Sequence, residues 1–75
     1  MKATLTQCKA YQAFLTLGAL ESFASNNQVA DKLKSVGFAN VNVEGTGKFR
    51  IATGVWSGAT QEVEIPKQIT SVKEL

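Results

Sequence analysis

Val43-Glu44-Gly45-Thr46-Gly47-Lys48-Phe49-Arg50, VEGTGKFR, is the stretch on which the fold turns. A Gly-Thr-Gly-Lys can hold a phosphate or reverse the chain. A phosphate-binding loop needs G-x-x-x-x-G-K-[ST] between a strand and a helix. Here Asn42 occupies the first glycine position, Phe49 stands where the magnesium-binding hydroxyl belongs, and a strand-like alternation follows. The stretch therefore reads as a three-residue hairpin loop, Gly45-Thr46-Gly47, with Gly47 in the left-handed position that closes such loops. That loop sets Glu44 opposite Lys48.

The neighbouring segments carry a period of two. Val41 and Val43 alternate with Asn40, Asn42 and Glu44. Phe49, Ile51, Thr53 and Val55 alternate with Lys48, Arg50 and Ala52, and Val63 and Ile65 with Glu62 and Glu64. A second loop at Trp56-Ser57-Gly58 would set Val55 opposite Ala59. Both registers match odd-numbered residues with odd-numbered residues, so the apolar side chains share one face of an antiparallel meander.

Upstream, the pattern favours helix. Thr4-Leu5-Thr6-Gln7 fits a capping box, and Leu5, Cys8, Tyr11, Leu15 and Ala19 follow at helical spacing among good helix formers. A second box, Ser25-Asn26-Asn27-Gln28, opens a shorter helix with Val29, Leu33 and Val36 inward and Gly37 as its stop. Pro66 with Ile69 and Val72 suggests a short helical tail over residues 66–75. The expected fold is α+β, one domain over residues 1–75: two N-terminal helices packed on a three-stranded antiparallel meander, with a short C-terminal helical tail. The expected core is Leu5, Tyr11, Leu15, Val29, Leu33, Val36, Phe38, Val41, Val43, Phe49, Ile51, Val63 and Ile65.

Composition narrows the chemistry. A chain of 75 residues with 44% apolar and 19% charged residues suits one small globular domain of modest stability. One cysteine and no histidine exclude an internal disulfide, a zinc site of the usual ligands and a cysteine–histidine pair. Cys8 is expected to be a small buried apolar side chain. Eight Lys/Arg against six Asp/Glu give a charge of +2, scattered in pairs, where a phosphate-tracking surface would gather it on one face. Nucleic acid is therefore not an expected partner. No apolar run approaches the ~20 residues of a membrane span, and the diluted block Ala13–Leu20 followed by Glu21 reads as part of the domain, not as a secretory leader. The default compartment is the cytoplasm.

No convergent set of polar groups suggests catalysis, a cofactor or a metal. On the expected register the outward face shows Asn40, Asn42, Glu44, Lys48, Arg50, Ala52, Glu62 and Glu64, with charges able to pair across strands. Trp56, at a loop tip, either folds back to cap the edge of the core or anchors a partner. Trp56, Arg50 and Lys48 are the candidate interaction surface. The expected function is a small non-enzymatic binding or assembly module, whose partner is another protein or a second copy of itself.

Leu15-Thr16-Leu17-Gly18-Ala19-Leu20, then Val29, Ala30, Leu33, Gly37 and Phe38, then Phe49-Arg50-Ile51-Ala52-Thr53-Gly54-Val55-Trp56, together resemble the SPOR domain over about residues 15–56. That family has an apolar strand with an embedded glycine, a helix ending in Gly-aromatic, and a strand reading aromatic-Arg-apolar-x-x-Gly-x-aromatic. The resemblance implies an α+β domain that binds septal peptidoglycan glycan strands stripped of their peptides, in the periplasm. It also implies a strand at Leu15–Leu17, where propensity and capping favour helix, and a second helix before a last strand. The segment Arg50-Ile51-Ala52-Thr53, with a hairpin and a terminal helix, is similar to small head-to-tail joining proteins of tailed phages, which implies an assembly part. The backbone of residues 13–20 separates the readings.

Overall fold

A computed structural model describes residues 2–18 and 23–75. The elements run in the order β1 (Lys2–Leu5), β2 (Ala10–Thr16), α1 (Asn26–Val36), β3 (Phe38–Thr46), β4 (Phe49–Trp56), β5 (Gln61–Glu64) and β6 (Ile69–Glu74). The protein is mostly β, 54% strand against 17% helical. The two-helix meander with a helical tail is thereby overturned: the first expected helix covers the end of β1 and all of β2, and the expected helical tail contains β6. The part of that helix beyond Gly18 lies outside the described residues until Phe23.

The strands form two antiparallel sheets. One is a ribbon of β1 and β5, with Lys2 opposite Glu64 and Leu5 opposite Gln61. The other has four strands in the order β3-β4-β2-β6. β2, which has few β-branched residues, becomes a central strand because it has partners on both sides. Tyr11 lies opposite Gly54, Leu15 opposite Arg50, and Ala13 opposite both Ala52 and Val72. Ladder bonds on two edges and burial of Tyr11, Leu15 and the following Leu17 outweigh the local helix preference.

The opening hairpin is real, but its loop is shorter than expected. Thr46 pairs with Phe49, leaving the two-residue loop Gly47-Lys48. Gly47 has φ 69° and Lys48 has no positive φ, the sign pattern of a II′ turn. Glu44 now faces Ile51 instead of Lys48. Even-numbered residues of one strand thus meet odd-numbered residues of the other, and β4 presents the opposite face to the core. Arg50, Ala52 and Trp56 are buried, while Phe49 and Ile51, two expected core residues, are exposed. The expected second hairpin is absent, because β5 leaves β4 and pairs with β1.

Two irregularities keep apolar side chains on the covered face. Between Ala39 and Asn42 the β3–β4 register shifts, and Asn40 takes φ 53°, a conformation asparagine tolerates better than most residues. Phe38, Val41 and Val43 consequently all pack inward. Between Phe14 and Leu15 the β2–β6 register shifts, so that Ile69 and Val72 share one side.

The helix α1 follows its sequence signals. Ser25 Oγ accepts from the Gln28 backbone N–H at 3.1 Å, and the Gln28 side chain accepts from the Ser25 N–H at 2.8 Å. Gly37 ends it, its N–H donating to the carbonyls of Leu33 and Lys34. Val29, Ala30 and Leu33 are buried against Leu15, Leu17, Val43, Ala52 and Ile69. A second cluster of Leu5, Tyr11 and Trp56 joins the ribbon to the same side of the larger sheet.

Candidate functional site

The three residues of the expected interaction surface are separated by the fold. Trp56 is 3% exposed. Its ring meets Phe38 edge to face at 5.2 Å, and its Nε1–H donates to the Ala59 carbonyl at 2.9 Å. Gly37, at φ 133°, lies so close that an added Cβ would come within 2.7 Å of the ring. Of the two readings of Trp56, the one that folds it back onto the core describes its position. Its indole satisfies a loop carbonyl and buries a large apolar surface.

Arg50 is 5% exposed. It turns inward because the two-residue loop inverts the strand. Its Nε donates to the Gly47 carbonyl at 3.1 Å, one terminal nitrogen to Asn26 Oδ1 at 2.7 Å, and the other to the Ala24 carbonyl at 2.9 Å. Asn26 Nδ2 in turn donates to the Gly45 carbonyl at 3.2 Å. Arg50 thus ties the hairpin to the entry of α1, and its role is to fix structure. Only Lys48 of the three is exposed, at the hairpin loop. Cys8, expected in the core, is exposed in the turn before β2 with φ 68°. No cluster of metal-ligating side chains exists among the described residues.

What the fold does assemble is the other face of the four-stranded sheet. No described element packs on it, and its side chains follow from the register in cross-strand rows. Thr46, Phe49 and Thr16 form the first row. Glu44, Ile51, Phe14 and Ser71 form the second, and Asn42, Thr53, Gln12 and Lys73 the third. Phe49 is 71% exposed, Phe14 41% and Ile51 39%. Phe14 lies directly across from Ile51 and diagonally from Phe49, within reach for one continuous apolar patch. Hydroxyls and amides of Thr16, Thr46, Thr53, Ser71, Gln12 and Asn42 surround it.

The face carries Glu44 on one edge strand and Lys73 on the other, with Lys48 at its tip. The expected outward face had no aromatic residue; the observed one has two. The missed signal was the even-numbered side of β4, where Ala52, Gly54 and Trp56 are small or apolar; the alternation reads against it because Arg50 lies on the same side. Comparisons of the chain with protein-family models, with curated proteins and with solved structures find no match.

Proposed function

We propose that the protein is a non-enzymatic binding module that holds a glycan strand on the open face of its four-stranded sheet, in the manner of a SPOR domain. The observation that carries this reading is the exposed patch of Phe14, Phe49 and Ile51 ringed by hydroxyls and amides. Sugar rings offer apolar C–H faces and a rim of hydroxyls, and a surface with aromatic rings inside a polar border complements both. Two further observations favour it. The strand Ala10–Thr16 takes in Leu15 and Thr16 but not Leu17 of the Leu15–Leu17 strand that the SPOR resemblance implies. The chain then runs helix to Gly37-Phe38, strand, and strand over Phe49–Trp56, before a last strand in the same sheet. The ribbon strand β5, not a second helix, lies between the last two.

An RNA-reading sheet also displays aromatic rings. Glu44 and Lys73 balance one another here, and Lys48 alone adds positive charge, too little to follow a phosphate backbone. The second reading is an assembly part. It rests on the same apolar patch together with the free edges of β3 and β6, which could pair with another chain. The test is titration of the whole chain with peptide-free glycan strands, followed by Phe ring and backbone NMR shifts. Shifts confined to β2 and β4 of the open face, with about tenfold weaker binding in Phe49→Ala, are expected, the scale of one lost stacking contact. Absence of glycan binding, with concentration-dependent dimerisation lost in the same variant, would replace the glycan reading by the assembly reading.

A further inference from the structure

The covered face of the sheet holds a second feature, independent of the open one. One helix cannot cover four strands. α1 packs chiefly on β3, and the ribbon covers the Tyr11–Trp56 end. The corner between α1, β2 and β6 is left with a pocket of about 250 Å³. Its walls include Leu15, Leu17, Val29, Leu33 and Ile69, and the exposed Lys32 also lines it. Gln28 and Gln68 add amides to the lining, but most of its surface is apolar, so an apolar ligand gains by displacing water from it. A pocket of this size, open to solvent on one side, suits a short apolar segment such as a single unbranched tail. No acidic side chain lines it among the described residues, and Lys32 is exposed, with no carboxylate paired to it among them.

We infer that this pocket binds the aliphatic tail of a single-chain carboxylate of medium length, with the Lys32 ammonium holding the carboxylate at the mouth. The tail lies against Leu17, Leu33 and Ile69, and the charged head stays in water, so neither partner pays for burial of an unpaired charge.

The probe is decanoate, titrated below its micelle concentration into the methyl-labelled full chain, with decanol as the uncharged control. The methyl groups of Leu15, Leu17, Val29, Leu33 and Ile69 should shift saturably while the Phe49 ring signals stay in place. Lys32→Glu, a change at an exposed helix position that leaves the core intact, should weaken decanoate about fivefold, the scale of one exposed ion pair, and leave decanol unchanged. Three results would overturn the inference. They are no saturable methyl shift, shifts centred on Phe14 and Phe49 instead, or equal decanoate affinity in Lys32→Glu.

Discussion

The two faces of the four-stranded sheet are built from the same strands and treat the same kinds of residue in opposite ways. On the covered face an arginine is buried and held by hydrogen bonds that include those to Gly47, Asn26 and Ala24. On the open face, one residue to either side, a phenylalanine and an isoleucine stand in water. Hydrophobicity did not decide which went in; register did. The covered face has committed its groups to holding the domain together. The open face leaves Phe14, Phe49 and Ile51 exposed, and the proposed recognition rests on it for that reason.

The largest effect should come from the covered side. Trp56→Ala removes the hub that joins the ribbon, Phe38 and Tyr11, and should cost about 3–5 kcal/mol, enough to leave a small domain largely unfolded in a urea titration. A loss under 1 kcal/mol would mean the two clusters are not one cooperative unit. Arg50→Met keeps the bulk of the side chain and leaves the Ala24 and Gly47 carbonyls and Asn26 Oδ1 without their donor. It should destabilise by about 1–3 kcal/mol, with amide exchange rising first at the entry to α1 and the hairpin loop. Unchanged exchange there would deny Arg50 its fastening role.

Ser25→Ala removes half of the capping box and should cost about 1 kcal/mol by the same titration. The smallest effect on stability belongs to the open face. Phe49→Ser should change it by no more than about 0.5 kcal/mol while weakening the proposed glycan binding about tenfold. A clear loss of stability would show that Phe49 is packed in solution and would erase the contrast between the faces.

Parts of this architecture were legible in the sequence for local reasons. Ser25, Gln28 and Gly37 announce α1 because capping is a contact between near neighbours. The period of two announced β3, β4 and β5 as extended. Pairing was less legible, since it is a choice among distant segments. Thr4-Leu5-Thr6-Gln7 imitates a helix start, yet the Thr6 N–H donates to the Tyr11 hydroxyl at 2.7 Å and the Gln7 N–H to Thr60 at 3.0 Å. The helical spacing of Leu5, Cys8, Tyr11 and Leu15 coexists with the strand spacing of Tyr11, Ala13, Leu15 and Leu17, and only partners far along the chain select between them. Of the expected site, Lys48 alone is at the surface. A one-residue difference in loop length moved Arg50 to the interior and brought Phe49 out, and no side-chain pattern within β4 could signal that.

The arrangement of strands also sets an order of events during synthesis. β2 sits between two partners, β4 and β6, both made after it, and β1 waits for β5, since Lys2 meets Glu64. Nothing made before Phe49 can pair with β2 in the native way. Until then the segment that ends as a central strand emerges with a sequence that prefers helix. The native pairings close long loops, and such topologies fold slowly relative to helical domains of equal size. With translation at about 5–20 residues per second, the N-terminal segment spends seconds without its partners. It is therefore a part of the nascent chain exposed to wrong pairings, and its local helical preference is too weak alone to hold a short isolated helix in water.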